Sequence, residues 1–259
     1  MAALTSDGRE ASGEGIELIR PDWPVPVHAG FTTRQGGVSQ SPYNTLNLAL
    51  HVEDDPAAVH ENRRRLVAQA GLPEEPRWLR QVHGTRVVHA EEVERDVTEA
   101  DAVWSDRPGQ VCAVLVADCM PILLASADGG CVAAVHAGWR GLASGVIQAA
   151  VAALPVPSSG LHACIGPCIG PTAYEVGPEV IEQLQAVGVV PVITHGATAR
   201  TKSSRECLDL VSTASRILEK VGVTELTSLG RCSANERHAF YSHRRCGATG
   251  RLSGFIVAS

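Results

Sequence analysis

The sequence has no long apolar run, no excess of basic residues and few aromatic side chains. Its 259 residues include 22 lysines and arginines against 28 aspartates and glutamates, which gives a formal net charge of −6. Nucleic-acid-binding proteins usually carry a basic excess, so this balance argues against nucleic acid as a partner. Apolar runs such as Val111 to Ala117 fall far short of the roughly 20 residues of a membrane-spanning helix. We therefore expect no membrane partner.

Residues 1–15 lack the basic start and apolar centre of a signal peptide. We expect them to form a disordered leader, with residues 16–259 folding as one domain in the cytoplasm. The eight cysteines are then expected to be reduced thiols. Hydrophobic residues make up 44% of the chain and aromatics only 4%, so the core must be built mainly from valine, leucine, isoleucine and alanine.

Short β-branched segments separated by turn residues alternate with a few helical patterns. Asp55 followed by Pro56 is typical of a helix start, and Gly71 is typical of a helix end. The predicted strands are 25–33, 78–83, 86–90, 111–117, 122–126, 131–135, 162–165, 226–230 and 252–258. The predicted helices are 56–70, 142–154, 178–186 and 208–221. This order of elements predicts an α/β (α+β) fold with mixed sheets.

Three side chains suited to binding a borderline metal each follow or end a predicted strand. Cys119 follows strand 111–117, His136 comes directly after strand 131–135, and His83 ends strand 78–83. Hairpin-linked strands bring their ends together, so Cys119 and His136 are expected to be neighbours although they are 17 positions apart (136 − 119). Two imidazoles and a thiolate are the protein ligands of a zinc site that keeps its fourth position open.

The same residues also fit two other sites. Cys119 and His136 could form a thiol nucleophile and its base, as in a hydrolase acting on amide bonds such as those of cell-wall precursors. Two histidines and a cysteine, with Met120 as axial ligand, could form a copper site. Copper is the weaker hypothesis, because oxidases with several coppers use His-x-His pairs and none occurs among the ten histidines. A metal-binding domain without catalytic activity is a further alternative.

Several segments together resemble the YfiH/laccase-domain family, which is also called the polyphenol oxidase family and includes FAMIN-like purine nucleoside enzymes. The segments are Arg80-Gln81-Val82-His83-Gly84, Ala117-Asp118-Cys119-Met120-Pro121, His136-Ala137-Gly138-Trp139-Arg140-Gly141 and Gly166-Pro167-Cys168-Ile169-Gly170. Shorter supporting segments are 31–39, 45–48 and 241–245. The resemblance runs from about Val27 to the last residue, and its motifs are specific in combination.

The resemblance implies one domain of layered α/β/β/α type and a zinc ion held by His83, Cys119 and His136. It also implies phosphorolysis of adenosine, inosine, guanosine and methylthioadenosine, with adenosine deamination in some members. The substrates would be purine nucleosides and phosphate. One departure concerns the segment Ser242-His243-Arg244-Arg245, where the family often has tyrosine in the position of His243. We expect this change to affect substrate preference.

Each of the two activities requires particular residues. Phosphorolysis needs an anion pocket, for which Arg34, Arg140, Arg244 and the helix start at Gly138 to Gly141 are candidates. Asn47 could bind the sugar or the base, and Tyr174 could line the pocket. Deamination needs zinc-activated water and a carboxylate to move protons. Asp118 adjoins Cys119, but the alternation of side chains along a strand could point its carboxylate away from the metal. No glutamate lies at a position equivalent to that of the catalytic glutamate of zinc deaminases.

Overall fold

In the computed structural model, which describes residues 15–195 and 206–259, two β-sheets pack face to face between helices. The predicted leader therefore lies almost wholly outside the described residues. The strands are β1 (Leu18–Ile19), β2 (His28–Thr32), β3 (Val87–His89), β4 (Ala102–Ser105), β5 (Val111–Val116), β6 (Met120–Ser126), β7 (Val132–Ala137), β8 (Leu161–Ile165), β9 (Val192–His195), β10 (Glu206–Asp209), β11 (Glu225–Ser228) and β12 (Leu252–Val257). The helices are α1 (Pro56–Ala70), α2 (Trp139–Ser144), α3 (Val146–Ala153), α4 (Pro178–Ala186), α5 (Leu210–Lys220) and α6 (His243–Cys246), with short 3-10 turns at Leu50–Val52, Ala90–Glu92 and Ser158–Gly160.

The first sheet has four strands in the order β1-β2-β12-β5, and the second has six in the order β11-β8-β6-β7-β4-β3. Strands β9 and β10 form a separate antiparallel pair. Within the six-stranded sheet, β11 runs parallel to β8 and β3 runs parallel to β4, whereas the central pairs are antiparallel. The six-stranded sheet is therefore mixed, as the sequence predicted, whereas every strand pair of the four-stranded sheet is antiparallel.

The central strands are buried on both faces, and alternate residues serve different layers. On β6, Leu123 packs into the core between the sheets, whereas Ile122 and Leu124 face α3 and α5. On β12, Ile256 faces the other sheet and Phe255 packs against α1. The layer order α/β/β/α is thus confirmed. Of the helices described, none combines the length and the apolar character needed to cross a bilayer.

Two predictions about local structure were wrong. Residues 78–83 do not form a strand, because the backbone N–H groups of Val82, His83 and Gly84 bond to the carboxylate of Asp101 instead of to a neighbouring strand. The predicted helix 142–154 is two helices that meet at Gly145, whose φ of +93° ends α2. Glycine is the residue that adopts this left-handed conformation at least cost.

Candidate metal centre

His136 and Cys119 are brought together by the β6–β7 hairpin. Pro121 lies opposite His136 in the antiparallel register, so Cys119, just before β6, reaches the same end of the hairpin. His136 is 4% exposed, and its Nδ1 lies 2.8 Å from Oδ1 of Asp101. We assign the ring proton to Nδ1, because a carboxylate can only accept this bond. The other ring nitrogen, Nε2, is then free to bind a metal.

His83 reaches the site from a loop. Its φ is +59°, and its backbone N–H donates to Asp101 at 2.9 Å. The imidazole of His83 packs edge-on against that of His136, with 4.8 Å between ring centroids. Asp101 therefore fixes both histidines, one through its ring and the other through its backbone.

The donor atoms of His83, Cys119 and His136 all lie within 4.8 Å of one another. Nε2 of His83 is 3.8 Å from Sγ of Cys119. These separations suit one ion with bonds of roughly 2.0–2.3 Å to nitrogen and sulfur. The group could hold a metal, as the three candidate ligands predicted. A Cβ built on Gly138 would lie 2.8 Å from Sγ of Cys119, so glycine keeps this space open.

The protonation of the centre favours a thiolate. Burial opposes the charged form of Cys119, but the attraction and hydrogen bonds of His136 and His83 outweigh it and lower the pKa of Cys119 to about 6. Burial likewise opposes a charged His136, but Cys119 and Asp101 raise its pKa to about 9. A thiolate is the form of cysteine that both binds metals and acts as a nucleophile.

The centre lies where two compartments of a cleft meet, with volumes of about 240 and 410 Å³. The residues that line both are His83, Ala117, Cys119, Arg140 and His243. The smaller compartment is further lined by Asp118, Trp139, Ile169, Tyr174 and Arg244. The larger is further lined by His51, Gln81, Leu115, His136 and Arg251. The structure thus places Arg140, Tyr174 and Arg244 beside the three candidate ligands.

Arg34 and Asn47 are not brought to this cleft. The guanidinium of Arg34 donates to the backbone oxygens of Asn44 and Arg237 and stacks over Tyr241. Asn47 is 0% exposed, and its amide bonds to neighbouring protein groups. The polar atoms of both residues thus already have partners in the protein, and neither residue lines the two compartments.

Sequence reasoning missed Asp101 and Arg251. His243, which it expected to affect substrate preference, lines both compartments. The signal for Asp101 was present, since a lone acidic residue directly precedes the buried strand β4. Asp118, whose direction was left open, turns its carboxylate to Ser233 and to the backbone N–H of Arg244, at 2.6 Å each. Its φ of +86° reflects the sharp turn just before β6.

Residues 28–259 match a family model described as multi-copper polyphenol oxidoreductase laccase. The chain belongs to this family. It is 45% identical over 240 residues to a purine nucleoside phosphorylase of Pseudomonas aeruginosa, covering 92% of this chain and 97% of the relative. It is 42% identical over 245 residues to the purine nucleoside phosphorylase YfiH of Escherichia coli, covering 93% and 98%.

Solved structures show the same fold. A Neisseria meningitidis protein superposes with a TM-score of 0.83 at 39% identity, covering 95% of this chain and all of that one. YlmD of Geobacillus stearothermophilus gives 0.81 at 30% identity, covering 96% and 97%. The predicted YfiH/laccase-domain resemblance is confirmed, and the relatives' names support an enzymatic function.

Proposed function

We propose that this protein is a zinc-dependent purine nucleoside phosphorylase acting on adenosine, inosine, guanosine and methylthioadenosine. The observation that carries the proposal is the His83–Cys119–His136 group at the meeting point of two compartments, beside the guanidinium groups of Arg140 and Arg244. The names of the relatives at 42–45% identity point to the same activity. We further propose that residues 16–259 act as one domain, since β12 pairs with both β2 and β5.

The donor set favours zinc over copper. Two nitrogens and one sulfur with an open fourth position match catalytic zinc sites, and a carboxylate on the second nitrogen of a ligating histidine is typical of them. Oxidases with several coppers need several groups of histidines. Within residues 15–195 and 206–259, one His/Cys/His group suited to a metal is found. When bound, zinc would supply a Lewis acid that polarises an oxygen of the substrate.

The residues of the cleft would bind and orient the two substrates. In phosphorolysis the bond between C1′ and the base breaks, and its electron pair goes to the purine. An oxygen of hydrogen phosphate forms the new bond to C1′, and the proton that the phosphate gives up passes, directly or through water, to the departing purine, which yields the free base and ribose 1-phosphate. Arginine side chains would hold the phosphate dianion through charge-assisted hydrogen bonds. Tyr174 stays a neutral phenol at pH 7, since burial raises its pKa.

The geometry favours phosphorolysis over deamination of adenosine. A deaminase needs a carboxylate that moves protons beside the activated water. Both oxygens of Asp118 accept hydrogen bonds from Ser233 and Arg244, and Asp101 is enclosed by four N–H donors. Among the described residues that line the cleft, Asp118 is the one carboxylate.

A second candidate is a hydrolase with Cys119 as nucleophile. The observation in its favour is the chain Cys119–His136–Asp101, in which a thiol with a lowered pKa bonds to a histidine that a buried aspartate orients. Such an enzyme would cleave amide bonds without metal, whereas the phosphorylase would lose its activity with the metal.

The test uses the full-length protein, with its metal content measured before any treatment. The protein is incubated with adenosine or inosine, with and without phosphate and with and without a chelator, and the free base and ribose 1-phosphate are quantified. Phosphate-dependent release that stops on chelation and returns with zinc is the expected result. Amide hydrolysis by chelated protein, abolished by alkylation of Cys119, would support the hydrolase instead.

A further inference from the structure

The larger compartment contains a guanidinium that pairs with no carboxylate of the described residues. Arg251 precedes β12, and its Nη1 donates to the backbone oxygens of Thr249 and Gly250 at 2.8 and 3.1 Å. Its Nε and Nη2 make no hydrogen bond within the described part of the chain, and no carboxylate of that part pairs with it. One nitrogen thus anchors the side chain while the other donors remain available.

Two other arginines of the cleft, Arg140 and Arg244, also pair with no carboxylate of the described residues, but each stacks on an aromatic ring. A buried arginine elsewhere in the fold does have a counter-charge. Arg63, for example, is buried like a core residue, but both terminal nitrogens donate to the carboxylate of Asp96 at 2.7 and 2.8 Å. A partly buried guanidinium without such a counter-charge is costly, and burial accordingly lowers the pKa of Arg251. The cost is recovered when an anion binds.

The surroundings of Arg251 favour an anion. His51 lines the same compartment, and burial, followed by the nearby charge of Arg251, lowers the pKa of His51. Among the described residues, no carboxylate lines this compartment, whereas Asp118 lines the smaller one. His51, which is neutral at pH 7 because its pKa is lowered, offers an N–H donor near the Arg251 cation. The acidic group that lines this compartment is Cys119, a candidate metal ligand at the junction, so an anion between Arg251 and His51 would displace no carboxylate.

The smaller compartment has a different chemistry. Trp139, Ile169 and Tyr174 line it, with Arg140 stacked over the indole at 4.6 Å and Arg244 over the phenol ring at 5.0 Å. Flat apolar walls of this kind suit a purine ring, which presents two π faces and polar edges.

We propose that inorganic phosphate binds between Arg251 and His51 in the larger compartment, and that the purine base binds between Trp139 and Tyr174 in the smaller one. This inference rests on the proposed phosphorylase function. It places the ribosyl group at the junction lined by His83, Cys119 and His243. Phosphate must approach C1′ on the side opposite the leaving base, and two compartments on either side of one junction allow that approach.

The test compares Arg251→Met and His51→Ala with Tyr174→Leu and Arg244→Met in the full-length holoenzyme, with Arg64→Met as a control for lost surface charge. Arg64 is 70% exposed and, among the described residues, pairs only with Glu61 on α1. We expect Arg251→Met to raise the KM for phosphate by about 10-fold or more, as loss of a charge-assisted hydrogen bond does. The KM for inosine should stay within about threefold in that variant, and Tyr174→Leu should show the reverse pattern.

Calorimetric titration of each holoenzyme with inorganic phosphate alone gives a readout that does not depend on turnover. The wild type should bind phosphate, and both Arg251→Met and His51→Ala should weaken that binding. His51→Ala keeps the test valid if Arg251→Met fails to fold, because the ring of His51 makes no hydrogen bond within the described residues.

Two outcomes separate the inference from the proposed function. If Arg244→Met weakens phosphate binding while Arg251→Met and His51→Ala do not, the assignment of the compartments is wrong even though phosphorolysis stands. If the wild type binds phosphate through Arg251 and His51 but releases no base, the proposed function fails and the anion site is retained.

Discussion

Asp101 and His136 are joined twice, since Nδ1 of His136 lies 2.8 Å from the Asp101 carboxylate and its backbone N–H donates to the Asp101 backbone oxygen at 2.8 Å. The same carboxylate accepts the backbone N–H groups of the loop that carries His83. One buried side chain therefore sets the positions of two of the three candidate ligands.

Replacing this carboxylate should weaken metal binding without removing any ligand. We expect Asp101→Asn to lower zinc affinity about 10- to 100-fold, as changes to the partners of ligating histidines commonly do. Competition with a chromophoric chelator measures the affinity. Glu99→Gln is the matched control, because Glu99 lies two residues away and pairs with the exposed Arg80 at 3.4 Å. Unchanged affinity in Asp101→Asn would refute the positioning function of Asp101.

Removing the thiol should abolish metal binding and turnover together. We expect Cys119→Ala to contain less than about a tenth of the wild-type metal, because two neutral imidazoles alone bind zinc weakly. Elemental analysis and base release are measured on the same samples. Cys246→Ala, which removes an exposed thiol elsewhere, should retain both. Full activity in metal-free Cys119→Ala would defeat the zinc assignment.

The elements predicted best from the sequence are those whose signals are local. Asp55 caps α1 and Gly71 ends it in the left-handed conformation, as their residue types indicated. Helix α4 has the predicted bounds, and the hairpin that joins Cys119 to His136 follows from apolar runs separated by turn residues. Local patterns in the sequence thus predicted that Cys119 and His136, two of the three candidate ligands, lie close together.

What the sequence could not reveal are contacts between distant segments. The polar atoms of Arg34 and Asn47 look available in the sequence, but they bind groups up to 204 residues away. Residue type alone does not tell whether a polar side chain will meet protein or ligand. For the same reason Arg251, two nitrogens of which have no partner among the described residues, was not singled out.

The lack of a side chain at position 138 should matter for the metal centre. A Cβ there would lie 2.8 Å from Sγ of Cys119 and 3.3 Å from Cδ2 of His83, so the thiol of Cys119 would have to move. We expect Gly138→Ala to lower metal affinity by about 10-fold or more, as displaced ligands do. Gly160→Ala is the control, because a Cβ there meets nothing within 4 Å. Equal metal affinities in Gly138→Ala and Gly160→Ala would show that the metal centre accommodates the added methyl group.

The metal-free enzyme should show an unusually acidic thiol. Because the pKa of Cys119 is lowered to about 6, its thiolate is the main form at pH 7 and is lost as the pH falls below 6. Alkylation by iodoacetamide, measured by mass spectrometry after chelation, should therefore be near its maximum at pH 7 and decline below pH 6. His136→Gln removes the imidazolium cation beside Cys119. The pKa of Cys119 should therefore rise, and the rate of alkylation at pH 7 should fall. If the pH dependence of alkylation were the same in His136→Gln and in the wild type, His136 would not be the cause of the lowered pKa of Cys119.

Asn47 should contribute to stability and not to nucleoside binding. Its Nδ2 donates to Ala49 and Asp54 at 3.0 and 2.9 Å, and its Oδ1 accepts the backbone N–H groups of Ala49 and Arg251. Asn47→Ala leaves these buried groups without partners, so we expect it to lower the free energy of unfolding by about 2–4 kcal/mol. Denaturant unfolding measures this change.

Asn44→Ala is the matched control for Asn47→Ala, because the exposed side chain of Asn44 makes one long hydrogen bond to Arg34 at 3.3 Å. Its effect on unfolding should stay below about 1 kcal/mol. At a temperature where both variants are folded, the KM for inosine should remain within about threefold of the wild type. A stable Asn47→Ala protein with a strongly raised KM for inosine would contradict this prediction and give Asn47 a function in substrate binding.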